Sequence, residues 1–149
     1  MTIYLGADHR GFRLKEHLKK YLSKKKIIVQ DLGATRLLLK DDYPKYGLAV
    51  GRAVAKNAHD FGIVVCGSGI GITLAANKIR GVRAGLASSA AQASQGRRED
   101  HMNILGIAAD FTSQATAERM TSAFLTAIPG RSARYRRRTR QTNQYGNKG

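Results

Sequence analysis

Residues 61–65, Phe-Gly-Ile-Val-Val, carry no polar side chain, and Cys66-Gly67-Ser68-Gly69-Ile70-Gly71 follows at once. A strand with one wet face alternates polar and apolar residues. A strand apolar throughout has to be covered on both faces, as in a parallel sheet between two layers of helix. The glycines then suit a tight turn, and residues 72–78 read as a short helix leaving it.

The rest of the chain repeats this alternation. Residues 2–6 (TIYLG) read as a strand and residues 8–11 as a turn. Leu14, Leu18, Tyr21 and Leu22 then form the apolar stripe of a helix over 13–24. A strand is expected at 27–29, a loop at 33–43, and a helix from Pro44, which suits a helix start, to about 58. Strands at 82–86 and 103–107 enclose an Ala-rich helix at 88–97. Asp110 is placed as the cap of a last helix over 113–128. Strand–helix alternation implies right-handed crossovers. The expected fold is α/β, a Rossmann-like three-layer sandwich of about five parallel strands flanked by helices on both faces.

At 149 residues the chain fits one domain, assigned to residues 1–130. Residues 131–149 are a basic extension without an acidic residue, and their composition predicts disorder over the last ten. The net charge is +16, and the body before residue 131 still carries 19 basic against 10 acidic residues. Such a body suits anionic ligands, phosphates or nucleic acid alike. No apolar run is long enough for a membrane span. Residues 1–6 lack the pattern of a signal peptide. With its single cysteine, the chain is expected in a reducing cytoplasm with a free thiol.

Ligands of open α/β sheets bind beyond the carboxyl ends of the strands. Three features are expected to meet there: Asp8-His9 after the first strand, Cys66 with its glycine turn after the third, and Glu99-Asp100-His101 before the fifth. A glycine turn opening a helix presents free N–H groups to an anion and lowers the pKa of a nearby thiol. The thiolate could attack a carbonyl or remove a proton beside one. Each feature has a plainer reading. A cysteine at a strand end is commonly a small buried hydrophobe, and Asp8 can simply cap a helix. His17 and His59 read as solvated surface. No metal-site spacing is found among the four histidines and one cysteine, and no cofactor is expected.

The motifs Gly6-Ala7-Asp8-His9-Arg10-Gly11-Phe12, Asp42-Tyr43-Pro44, Cys66 to Gly71 running on to Ala75-Ala76-Asn77-Lys78, Gly81-Val82-Arg83-Ala84 and Asn103-Ile104-Leu105 resemble one family. This is the ribose-5-phosphate isomerase type B family, grouped with galactose-6-phosphate isomerase. The resemblance implies an aldose–ketose isomerase of a sugar phosphate that works as a homodimer, or a tetramer, with active sites shared between subunits. It implies Cys66 as the catalytic base, with Asp8 and His9 holding sugar hydroxyls and helping ring opening or phosphate binding. Gly67, Ser68, Gly69 and Gly71 match the turn that receives the enediolate. Arg131 matches a phosphate-binding arginine, with Arg134 or Arg136 assisting. Tyr43 and Asp100 fall among the substrate contacts.

The chain departs from the family pattern in three places. Glu99-Asp100 stand where His-Asn is common, so ring opening falls to His101 or Glu99, or is impaired. Asp110 stands where many members carry arginine, and Tyr135 where a second phosphate arginine aligns. The alternatives are therefore a catalytically impaired sugar-phosphate binder or an isomerase of a six-carbon sugar, allose or galactose 6-phosphate. Nucleic-acid binding through the arginine-rich tail is the lesser reading of its charge.

Overall fold

The computed structural model describes residues 1–145. Five strands, β1 (Thr2–Ala7), β2 (Ile28–Asp31), β3 (Phe61–Cys66), β4 (Ala84–Leu86) and β5 (Ile104–Ala108), form one sheet in the order β2-β1-β3-β5-β4. Every pairing is parallel. Helices α1 (Phe12–Lys24), α2 (Tyr43–Val54), α3 (Ile70–Ala76), α4 (Ala90–Glu99) and α5 (Gln114–Thr126) connect and cover it. Helix α6 (Ala133–Tyr145) follows. The Rossmann-like α/β sandwich expected from the sequence is what forms.

Two apolar layers hold the sheet. On one face Leu14, Leu18 and Leu22 of α1, Ala93 of α4, and Ala117, Met120 and Phe124 of α5 pack on Ile3, Leu5, Ile63, Val65, Leu105 and Ile107. On the other, Tyr46, Val50 and Val54 of α2 and Ile72 and Ala76 of α3 pack on Val64, Cys66 and Ile104. β3 is buried along its whole length, as its unbroken apolar run requires.

The strand order reverses direction between β1 and β3. From β1 the chain moves outward to β2, and from β3 it moves to the opposite side. Such a switch point opens a crevice at the carboxyl ends of the two strands. Register aligns the two lips: Ala7 pairs with Val65, so Asp8 and Cys66 leave their strands at the same height. Gly11, just before α1, lets the helix start press on β3, because any side chain there would run into the Val65 carbonyl.

Several expectations need correction. Asp110 does not cap α5. Ser113 does, its Oγ accepting from the Thr116 N–H at 3.2 Å, while Asp110 lies in a 3-10 turn at Ala109–Phe111. His17 is not solvated surface, since its Nε2 meets Glu118 Oε1 at 2.7 Å and ties α1 to α5. Residues 140–145, read as disordered from their polarity, continue α6; residues 146–149 lie outside the described residues. Arginine and glutamine are good helix formers, so a polar composition does not forbid a helix.

Candidate active site

At the carboxyl ends of β1 and β3 the sequence-predicted residues divide by role. Asp8 is buried, and its Oδ1 accepts the Gly11 N–H at 2.9 Å. The helix-start role and the site position therefore coexist in one carboxylate. Cys66 is 4% exposed and ends β3 on the α2–α3 face. His9 and Ser68 beside it are half-buried, and Arg10 and Tyr43 are exposed. The ring of Tyr43 lies against Gly71.

The turn after Cys66 is shaped by Gly69, whose φ of +73° is left-handed. A Cβ there would meet Leu86 Cδ1 and the backbone of Ile107 and Ala108, so glycine is needed for both conformation and space. Ser68 Oγ accepts the Ile70 N–H at 3.3 Å, and Thr73 Oγ1 donates to the Gly69 carbonyl at 2.6 Å. The Asp110 N–H donates to the Gly67 carbonyl at 3.1 Å, fastening the turn to the end of β5.

Three residues of this edge, Arg10, Asp41 and Tyr46, were not among the sequence candidates. Arg10 lays its guanidinium against Gly67 and pairs with Asp110. Asp41, in the 33–42 loop, accepts the His9 N–H and meets His9 Nδ1, both at 2.8 Å, and accepts the Tyr46 hydroxyl at 2.7 Å. Burial pushes the Asp41 carboxyl up, but the bonds from Tyr46 and His9 outweigh it and hold it below the usual carboxylate range. Burial, then the bond to Asp41, raises the Tyr46 hydroxyl above its ordinary value.

The remaining predicted residues are elsewhere. Glu99, Asp100 and His101 do not join Cys66 within one chain. They lie at the amino-terminal edge of the sheet, where the Gly62 N–H at the start of β3 donates to the Asn103 carbonyl. The reason is topological: a crossover helix delivers the chain to the start of the next strand. The length of β3 separates the two edges by roughly 16 Å. Glu99 Oε1 accepts from Gln95 at 3.3 Å. His101, with φ +54°, holds the Gly130 carbonyl through Nε2 at 3.1 Å, and its own carbonyl accepts Arg83 Nε.

Two cavities occupy this opposite edge, of about 700 and about 550 Å³. Neither is lined by Asp8, His9 or Cys66. The smaller brings His101 together with Arg136, Thr139 and Arg140 of α6. Arg131 and Arg134 do not line it; both are exposed, and the Arg134 guanidinium sits over the Tyr135 ring. Asp100 lines the larger cavity with Arg83 and Arg138. Arginines four apart on a helix could have been noticed had the tail been read as helical. Among the described residues no group of three His, Cys, Asp or Glu side chains could hold a metal ion, and no helix is long and apolar enough to cross a membrane.

The sequence matches the ribose/galactose isomerase family over residues 3–142. The chain belongs to this family of sugar-phosphate isomerases. It is 36% identical over 125 residues to ribose-5-phosphate isomerase B of Escherichia coli, covering 84% of this chain and 83% of that one. It is 35% identical over 138 residues to the Mycobacterium tuberculosis protein of the same name, covering 93% and 85%. Among solved structures, ribose-5-phosphate isomerase B of Mycoplasma genitalium with bound ribulose-5-phosphate superposes with a TM-score of 0.94 at 33% identity, over 99% of this chain and 97% of that one.

Proposed function

We propose that this chain interconverts ribose 5-phosphate and ribulose 5-phosphate, with Cys66 moving the proton between C2 and C1. The observation that carries the reading is the level placement of Asp8 and Cys66 at the β1/β3 switch point, with the glycine turn directly after the thiol. The activity named for the relatives, and the ketose bound in one of them, support this choice of substrate.

Asp8 and His9 assist ring opening, with His101 or Glu99 as the second proton carrier. In the open-chain aldose the C2 proton passes to the Cys66 thiolate. The electron pair left behind becomes the C1–C2 double bond, and O1 takes the negative charge beside the N–H groups of the 67–71 turn. The thiol returns its proton to C1, the O2 proton passes to O1, and C2 becomes the ketone. Burial of Cys66 keeps water from competing for the proton.

The phosphate docks on arginines of α6, and this requires a second copy of the chain. His101, Arg136 and Arg140 sit at the opposite edge of the sheet from Cys66 and cannot meet the same small sugar within one copy. Two further observations support the homodimer. Ile70 and Leu74, one turn apart on α3, are 55% and 59% exposed beside the glycine turn. Contiguous exposed apolar residues mark contact surfaces. From Ala133 to Gln144 helix α6 is exposed apart from half-buried Tyr135 and Thr139, and a lone 13-residue helix has little stability of its own.

The test is a direct assay of ketose formation from ribose 5-phosphate, run beside allose and galactose 6-phosphates. Fastest turnover of the pentose is expected. Turnover of none, with ribulose 5-phosphate still bound, would mark a sugar-phosphate binder. The pairing of Arg10 with Asp110, which neutralises the mouth of the turn, is the feature that favours that second reading.

A further inference from the structure

His9 has two ring nitrogens, and its surroundings distinguish them. Nδ1 lies 2.8 Å from Asp41 Oδ1, the same oxygen that accepts the His9 backbone N–H at 2.8 Å. The other oxygen of Asp41 accepts the Tyr46 hydroxyl at 2.7 Å. The Asp41 side chain is 2% exposed, whereas the His9 side chain is 30% exposed. The carboxylate is thus enclosed beneath the ring, and the ring faces outward from it.

A carboxylate accepts hydrogen bonds and donates none. Three donors converge on Asp41 and favour its ionised form. Nδ1 must therefore carry a hydrogen whether the ring is neutral or charged. Nε2 is left as the one nitrogen that can take a proton from a ligand, give one, or meet a phosphate oxygen. Bonding both the backbone N–H and the ring N–H of His9 to one oxygen also fixes the ring's plane relative to its own main chain.

The loop that carries Asp41 is fastened at both ends. At its start the Gly33 N–H donates to Asp31 Oδ1 at 2.9 Å. There too the fully buried Lys15 ammonium donates to the Ala34 carbonyl at 2.9 Å and to Asp31 at 2.5 Å. At its far end Asp41 is held by Tyr46, which is buried on α2. A carboxylate so placed is part of the frame and not a mobile surface charge.

We infer that Asp41, backed by Tyr46, is a positioning residue of the isomerisation: it fixes the Nδ1–H tautomer and the ring plane of His9, so that Nε2 works on the bound sugar phosphate. This rests on the isomerase reading for the role of His9. It adds two residues that have no substrate contact of their own.

Long-range proton–nitrogen NMR of the ¹⁵N-labelled full chain reads the tautomer directly. The neutral His9 ring is expected as Nδ1–H in the wild type and as a mixture in Asp41→Asn, whose amide can accept or donate. Loss of a partner that orients a working histidine typically costs ~10–100-fold. That loss is expected in kcat for Asp41→Asn with a native circular dichroism spectrum, and partial rescue is expected in Asp41→Glu. Tyr46→Phe removes one donor from Asp41 without touching His9, so it serves if Asp41→Asn does not fold; its loss should be smaller and in the same direction. An Nε2–H tautomer in the wild type overturns the proposal and leaves the isomerase reading standing. So does unchanged kcat and KM in a variant whose tautomer has changed. If the wild type proves inactive, the isomerase reading falls. Calorimetric binding of ribulose 5-phosphate then decides: about tenfold weaker binding in Asp41→Asn upholds the role, and equal binding overturns it.

Discussion

Arg10 and Asp110 stand 100 residues apart in the chain and pair over the turn that follows Cys66. Their side chains are 56% and 36% exposed, so the pair adds little to stability. Its effect is on the field at the crevice. The arginine lies against Gly67, where a cation would attract an anionic substrate, and the aspartate cancels that charge.

Separating the two should therefore move KM in opposite directions. Asp110→Ala frees the guanidinium and is expected to lower KM for ribose 5-phosphate roughly three- to fivefold at low salt, an effect that 0.5 M salt or so suppresses. Arg10→Ala leaves Asp110 uncompensated and should raise KM by a similar factor. Shifts of equal sign in the two variants would show that the pair is indifferent to substrate charge.

Cys66→Ala removes the proposed base and leaves a small apolar residue in the buried position. Turnover should fall ~10²–10⁴-fold. The thermal midpoint should shift by only a few degrees, because one small buried side chain is being trimmed. A variant that keeps most of its turnover in the ketose-formation assay would take the thiol out of the chemistry.

If active sites are shared, two inactive proteins should repair one another. Cys66→Ala and the double variant Arg136→Ala/Arg140→Ala are each expected to be nearly inactive. Mixed after mild dissociation, they should recover roughly a quarter of the wild-type rate, since half the dimers are mixed and each of those holds one intact site. No recovery, with mixed dimers demonstrated by mass spectrometry, would place both halves of the site in the same copy.

Gly69→Ala tests the turn itself. A left-handed φ of +73° costs a residue with a Cβ about 1–3 kcal/mol, and the collision with Leu86 and the end of β5 adds to it. Denaturant midpoints should fall clearly and activity should fall with them. Wild-type stability would mean that the turn has a second conformation open to it.

Acid should weaken the protein through Asp31 and Asp41. Burial raises the Asp31 carboxyl, but Lys15, Lys19 and the Gly33 N–H outweigh it and leave it below the ordinary range. Asp41 is lowered as well. Both groups thus bind protons less readily when folded than when unfolded. Their contribution is complete above a pH of about 4 and is lost as pH falls through the folded values. Thermal midpoints measured downward from about pH 6 should drop more steeply for the wild type than for Asp41→Asn. Parallel curves would remove Asp41 from the acid sensitivity.

The sheet was readable because burial on two faces leaves a plain mark: the strand at 61–65 has no polar residue to misplace. The α1 stripe was equally clear, since Leu14, Leu18 and Leu22 all reach the core. Local turn chemistry also marked Asp8 and the 66–71 segment. Other features left no local mark. His101 seemed to belong beside Cys66 because both flank strands, and only the direction of α4 puts it at the far edge. Asp41 sits in a loop without periodicity, 32 residues from its histidine. Helix α6 lacks an apolar stripe, so composition alone spoke for disorder there.

The pairing of Ala7 with Val65 has a genetic corollary. Parallel ladders slip by whole residues, and each slip turns every side chain to the other face. Deleting one residue anywhere from Thr2 to Ala7 would either drop Asp8 below the thiol's level or invert the first strand's inward and outward sides. That segment should accept many exchanges of one apolar letter for another, yet reject every change in its length.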